Sequence, residues 1–309
     1  MLIDIVLIIV GVAMVLTGAD KLTEGASALA RRMNVPEIII GLTIVAAGTS
    51  APELFVSLVS ALKGTPDLAV GNVVGSNTMN CMLIVGCAAM VAPMTISRST
   101  VKKDIPFSVG ASALLRLLAL ESYLGRFDGI ILLAGFVFFM IYTLMQAKNG
   151  EAEPADEVKQ QNPWMSVLWL LTGLTMLVVG SNIFVDAASN VAYALGISEG
   201  VVGLTVVAGG TSLPELATSV VAARKGQSAI AIGNVIGSNV FNILLILGLT
   251  ATISPMQIEG ITTLDMSVML LSVALVWLFS YTRFTVERWE GAVLVIGYLV
   301  YLSWLITSL

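Results

Sequence analysis

Long apolar runs separated by short polar breaks occupy nearly the whole chain. A helix needs about 20 residues to cross the hydrocarbon core of a bilayer. Runs that meet this need lie near residues 2–28, 36–62, 68–92, 105–120, 128–146, 164–189, 199–222, 229–252, 266–282 and 290–308. They are continuous rather than alternating with a period of two, so they predict helices and argue against a β-barrel. One stretch differs. Residues 147–163, with KNGEAEPADEVKQQ at their centre, are polar and predict a flexible linker. The expected fold is an all-α polytopic membrane protein with ten transmembrane helices. Residues 1–146 form one five-helix half, 147–163 a cytoplasmic linker and 164–309 the other half. Asp4 and the lack of a basic n-region make the run Ile5–Leu16 a first span rather than a cleaved signal peptide.

Composition agrees with this pattern. Charged residues make up 11% of the chain, against about 25% in a soluble domain. Apolar residues reach 57% and the mean hydropathy is +0.95. The net charge of −5 adds little, because the charges belong to loops. The placement of basic residues says more, since cytoplasmic loops carry the excess of Lys and Arg. With the amino terminus outside, the inside loops hold Arg31, Arg32, Arg98, Lys102, Lys103, Lys148, Lys159, Arg224, Lys225, Arg283 and Arg288, and the outside loops only Lys63 and Arg126. Both termini are then outside. Five is an odd number, so the second half enters the membrane opposite to the first, and the halves are inverted repeats. Trp164, Trp289 and Trp304 fall near predicted span ends, where interfacial anchors belong.

Residues 41–86 and 203–248 match at 27 of 46 positions with a constant shift of 162. Each copy contains Gly-Thr-Ser-x-Pro-Glu, at Gly48–Glu53 and Gly210–Glu215. Pro52 and Pro214 have no N–H for the carbonyl four residues back, and the residue before each proline is pushed away from helical geometry. Each span should therefore break near mid-membrane. The break sets bare carbonyls and the hydroxyls of Thr49, Ser50, Thr211 and Ser212 beside Glu53 and Glu215. A carboxylate at that depth is costly unless paired, and carboxylate, carbonyl and hydroxyl oxygens suit hard cations such as Ca²⁺. The second motif is Gly-Asn-Val-x-Gly-Ser-Asn-x-x-Asn, at Gly71–Asn80 and Gly233–Asn242. Its glycines, four apart, permit close helix approach. Asn72, Ser76 and Asn80 make a polar stripe with a spacing of four, repeated by Asn234, Ser238 and Asn242. Asn77 and Asn239 lie off the stripe and predict caps or backbone hydrogen bonds.

These paired blocks resemble the α-1 and α-2 repeats of the cation/Ca²⁺ exchanger superfamily, most closely the prokaryotic sodium/calcium exchangers. The resemblance implies that Glu53 and Glu215 are central Ca²⁺ ligands shared with Na⁺, and that Thr49 and Thr211 add backbone oxygens. It implies that Ala46, Ser50, Ser76, Ala208, Ser212 and Ser238 line flanking Na⁺ sites, with Asn80 and Asn242 beside the central one. Potassium-dependent relatives carry an aspartate at the position of Asn242, so asparagine there implies K⁺ independence. Residues 147–163 are too short to hold Ca²⁺-sensing regulatory modules. The expected activity is Na⁺/Ca²⁺ antiport by alternating access in a cell membrane, the prokaryotic inner membrane by the same resemblance. Ca²⁺ and Na⁺ are the transported ions, no cofactor or nucleic acid is involved, and a monomer suffices.

Rival readings remain open. Two carboxylates could exchange two protons for one Ca²⁺, though proton exchange needs no surrounding oxygen cage. A cation channel is a third reading, but channels commonly build their filters from several subunits. An enzyme is not expected: histidine is absent, leaving nothing to activate Ser50 or Ser212 as a nucleophile. Cys81 and Cys87, six apart, fall on different helix faces and predict free apolar residues rather than a disulfide. Gly18 and Gly180, equivalent positions in the long first and sixth runs, are candidate bending points. Asp20, Lys21 and Glu24, near the inner end of the first run, predict a solvated end whose opposite charges can pair.

Overall fold

The computed structural model describes residues 1–148, 163–196, 206 and 208–308. The centre of the expected linker, residues 149–162, lies outside the described residues. So do Gly203–Thr205 and Val207 at the start of the second motif copy.

The described helices are α1 (Leu2–Met33), α2 (Glu37–Thr49), α3 (Ala51–Leu62), α4 (Pro66–Val91), α5 (Ile105–Leu118), α6 (Arg126–Lys148), α7 (Pro163–Ala194), α8 (Ala208–Thr211), α9 (Leu213–Arg224), α10 (Ser228–Ile253), α11 (Thr263–Arg283) and α12 (Arg288–Ser308). Among the described residues, α1, α4, α6, α7, α10, α11 and α12 are long and apolar enough to cross a membrane. The α2–α3 pair, bent by 46°, makes an eighth if taken as one span. The protein is thus a predominantly helical, multi-pass membrane protein. Helix α5 falls outside that set because it is 14 residues long and flanked by Lys102, Lys103 and Asp104.

Short helical turns at Thr100–Asp104 and Ala119–Glu121 flank α5, and there are four short strands: β1 (Met94–Thr95), β2 (Tyr123–Leu124), β3 (Met256–Gln257) and β4 (Thr285–Val286). They pair antiparallel as β1 with β4 (Met94↔Val286) and β2 with β3 (Leu124↔Met256). The motif shift of 162 reappears in the elements themselves, since it carries α3 onto α9, β1 onto β3 and β2 onto β4.

Helices α4 and α10 are buried along most of their length, which explains why their apolar residues run all the way round rather than along one stripe. Helices α1 and α7 lie against each other through glycines. A Cβ on Gly11 would stand 2.8 Å from the carbonyl oxygen of Gly180, and one on Gly18 would stand 2.8 Å from that of Gly173. Small residues permit such approach because the backbones themselves make the contact. This corrects one expectation. Gly18 and Gly180 are packing points within unbroken helices, not bends.

The two ends of this pair differ. At one end α1 packs along α9, and Lys225 reaches from the end of α9 to Asp20 (2.6 Å) and Glu24 (3.6 Å) on α1. Beside it Gln227 donates to Ser27 (2.8 Å), which donates to Glu37 (2.5 Å). Asp20 and Glu24 therefore pair across helices, and Lys21 lies over the ring of Trp169 at 5.2 Å. The positions 162 removed behave otherwise. Helix α7 barely touches α3, and Lys63 and Asp186 make no ion pair among the described residues.

Candidate functional site

Each motif breaks its helix at a serine. Ser50 ends α2 with φ −81° and ψ 6°, and Ser212 precedes α9 with φ −89° and ψ 6°. Pro52 and Pro214 sit in the first turns of α3 and α9, where a missing N–H costs nothing. Glu53 and Glu215 fall in the same first turns, so each carboxylate lies at the positive end of a helix dipole. Both are fully buried.

The serines cross over. Ser50, from the turn of Glu53, donates to Glu215 Oε1 at 3.1 Å, and Ser212, from the turn of Glu215, donates to Glu53 Oε1 at 3.2 Å. Ser238 adds a second donor to Glu215 Oε1 at 3.4 Å, while Ser212 Oγ lies 3.1 Å from Ser76 Oγ. The Thr49 hydroxyl donates to Asn234 Oδ1 at 3.0 Å. Ala46 is fully buried and would crowd a Cβ on Gly237. Thr211 ends the short helix α8 that Ala208 begins.

Helices α4 and α10 each widen into a π-helical turn, over Asn80–Ile84 and Phe241–Leu247. Such turns often mark functional positions. Asn80 and Asn242 sit there, buried. Their amide nitrogens are bonded to Asn239 Oδ1 (3.0 Å) and Asn77 Oδ1 (2.9 Å). Their oxygens are not. Glu53 Oε2, Glu215 Oε2, Asn80 Oδ1 and Asn242 Oδ1 are all buried acceptors without a donor. A buried acceptor left without a partner costs about 1–3 kcal/mol, and more when it is charged. Four of them on the two paired motifs, two of them carboxylate oxygens, are chemically suited to a cation.

The polar stripe is used unevenly. Asn72 does not present oxygen to the site. Its Nδ2 donates to Ser57 Oγ (2.9 Å) and the Glu53 carbonyl (3.2 Å), bracing the helix that carries the carboxylate. Asn234 repeats the brace on Ser219 Oγ (3.0 Å) and the Glu215 carbonyl (3.3 Å). Ser57 and Ser219 were not among the expected site residues, although they recur at the shift of 162. Asn77 does reach a backbone carbonyl, that of Asn239 (3.1 Å), but it and Asn239 also hold the amides of Asn242 and Asn80. Cys81 and Cys87 are both free, and Cys81 Sγ accepts from Asn239 Nδ2 at 2.9 Å.

Known proteins match this chain over nearly its full length. The family model described as sodium/calcium exchanger protein covers residues 3–145 and 165–307. A putative antiporter, CaxA, from Alkalimonas amylolytica is 36% identical over all of both chains. The sodium/calcium exchanger MaX1 from Methanosarcina acetivorans is 31% identical over 97% of each. The solved structure of the sodium-calcium exchanger NCX_Mj, soaked with Na⁺ and Sr²⁺, superposes with a TM-score of 0.87. It is 29% identical and covers 98% of both chains.

Proposed function

The chain belongs to the sodium/calcium exchanger family, and from this premise we propose that it exchanges Na⁺ for Ca²⁺ across the membrane without needing K⁺. The family makes it a cation antiporter of the membrane rather than an enzyme. The observation that carries the finer reading is the set of four donor-less buried oxygens from Glu53, Glu215, Asn80 and Asn242. With both glutamates ionised, as a bound cation requires of its carboxylate ligands, the site charge is near −2. One Ca²⁺ neutralises it, and so do two Na⁺. Simultaneous binding is opposed by cation repulsion, which is strong in a medium of low dielectric. Competition for the same oxygens then couples the two fluxes.

Glu53 and Glu215 are the shared ligands, with Asn80 and Asn242 completing the central site. By family resemblance Thr49 and Thr211 contribute backbone oxygens; the Thr49 hydroxyl itself is bonded to Asn234. Ala46, Ser50, Ser76, Ala208, Ser212 and Ser238 line the flanking Na⁺ positions. Ten spans in two inverted halves, 1–146 and 164–309, place these residues at the repeat interface, the usual binding level of such transporters. Recurrence of the elements at a shift of 162 supports that division. Basic residues favour termini outside and Lys225 inside. The Lys225 contacts then close the cytoplasmic end, and alternating access requires them to part. The prokaryotic inner membrane is the expected location, and a single chain supplies the complete site.

The test uses purified protein in liposomes. Uptake of ⁴⁵Ca²⁺ should follow an outward-directed Na⁺ gradient and be unaffected by replacing K⁺ with choline. Uptake driven by a pH gradient in Na⁺-free buffer would instead make the protein a proton/Ca²⁺ exchanger, against which the Ser50, Ser212 and Ser238 hydroxyls argue.

A further inference from the structure

An asparagine amide has two ends of similar shape and opposite chemistry, an acceptor oxygen and a donor NH₂. Turned the wrong way, Asn80 or Asn242 would aim donor hydrogens at a cation. Something must therefore set the polarity of each amide. Two chains of hydrogen bonds across the interface between α4 and α10 do so. In the first, Asn239 Nδ2 donates to Cys81 Sγ at 2.9 Å, which turns Asn239 Oδ1 toward Asn80. That oxygen accepts from Asn80 Nδ2 at 3.0 Å and leaves Asn80 Oδ1 as the unpartnered end. In the second, Asn77 Nδ2 donates to the Asn239 carbonyl at 3.1 Å, which turns Asn77 Oδ1 toward Asn242. It accepts from Asn242 Nδ2 at 2.9 Å and leaves Asn242 Oδ1 free. Reversing Asn77 or Asn239 would set NH₂ against NH₂ at the next link, and reversing Asn80 or Asn242 would set oxygen against oxygen.

Each chain ends on a fixed acceptor, a thiol sulfur in one case and a backbone carbonyl in the other. The halves differ here because the residue 162 positions after Cys81 is Ile243, which has no acceptor atom. Asn239 is the common anchor, through its side chain for Asn80 and through its carbonyl for Asn77. All four asparagines are essentially inaccessible to solvent, so water cannot substitute for a missing link.

We propose that Asn77 and Asn239 are positioning residues that fix the amide polarity of Asn242 and Asn80, so that the ion site is lined by oxygen alone. This deepens the reading of the site as a Ca²⁺ and Na⁺ site and rests on it. Groups that orient a metal ligand are commonly worth about 10–100-fold in affinity, and that loss is expected here as a raised KM for Ca²⁺.

Asparagine-to-aspartate changes separate orientation from mere packing, because a carboxylate has two acceptor ends and cannot face the wrong way. Asn77→Ala is compared in two backgrounds, natural Asn242 and Asn242→Asp, by ⁴⁵Ca²⁺ uptake in liposomes. Asn77→Ala should raise KM about 10–100-fold in the first background and only slightly in the second. A second cycle, Asn239→Ala with Asn80 or Asn80→Asp, gives an independent reading if one set of variants folds poorly. Cys81→Ser, which keeps an acceptor at the end of the first chain, should transport nearly as the natural protein does, and Cys81→Ala should not. Equal effects of Asn77→Ala in both backgrounds would overturn the proposal. Absence of Ca²⁺ transport by the unaltered protein would instead overturn the functional reading beneath it.

Discussion

Replacing Glu53 by glutamine keeps the shape of the side chain and changes its chemistry at one identifiable atom. Oε1 accepts from Ser212, and an amide oxygen can continue to do so. Oε2 is buried and has no donor; in the variant it becomes an NH₂ that offers donors where a cation needs oxygen. The site charge falls from near −2 to near −1. Removing one partner of a buried charge pair costs about 3–5 kcal/mol, and 1.4 kcal/mol is a factor of ten in affinity. Binding of Ca²⁺ should weaken roughly 10²- to 10⁴-fold on those figures. Thermal unfolding in detergent gives one readout. At a Ca²⁺ concentration near 100 times its Kd, the natural protein should gain about 2.7 kcal/mol from the ion. At the same concentration a hundredfold weaker variant gains about 0.4 kcal/mol. Without ions the variant should be at least as stable as the natural protein, since it no longer buries that charge. Sodium-driven ⁴⁵Ca²⁺ uptake should be lost. Natural Ca²⁺ stabilisation together with natural uptake in Glu53→Gln would refute the assignment of the site.

Other outcomes follow from individual contacts. Ser212→Ala removes a donor to Glu53 and a neighbour of Ser76; a hydrogen bond to a charged group is worth about 1.5–3 kcal/mol, so apparent ion affinity in the uptake assay should shift by roughly tenfold or more. Lys225→Met breaks a partly exposed ion pair worth about 0.2–1 kcal/mol. Hydrogen exchange in the Asp20–Ala30 stretch of α1 should then rise by no more than about fivefold, and an unchanged rate would contradict a closing role for the contact. Gly18→Ala places a Cβ against the Gly173 carbonyl and should lower thermal stability by about 1–3 kcal/mol or more. Gly110→Ala, where a Cβ meets nothing within 4 Å, should instead stabilise α5 by about 0.5–1 kcal/mol.

Much of the site was legible because it is written twice. The recurrence at a shift of 162 isolates Glu53 with Glu215, and the proline two positions into each new helix marks where the chain breaks. What a single copy cannot disclose is which half its side chains face. Ser50 serves Glu215, not the glutamate three residues away, and that crossing depends on tertiary packing. The bracing role of Asn72 is hidden for a related reason. Helical spacing puts it on the same stripe as Asn80, but spacing alone does not say that α3 covers the first turns of the stripe and leaves the later ones to the ion site. The roles of Asn77 and Asn239 were hidden by the π-helical turns, which change the angular step just where Asn80 and Asn242 emerge. Gly18 and Gly180, each considered within its own helix, suggest bending points, because the partner each packs against lies more than a hundred residues away.

That glycine seam has a mechanical consequence. Backbone touching backbone at the glycines leaves little side chain to yield there between α1 and α7, so the two helices tend to move as a single strut. The strut is clamped to α9 at one end, while α7 and α3 are not among the closely packed helix pairs of the described residues. If alternating access moves it, releasing one end and engaging the other are the same displacement. A conformation open to both sides would require the seam itself to split. On this account, freedom from ion leak is built into the contact between Gly11, Gly18, Gly173 and Gly180, far from any group that touches an ion.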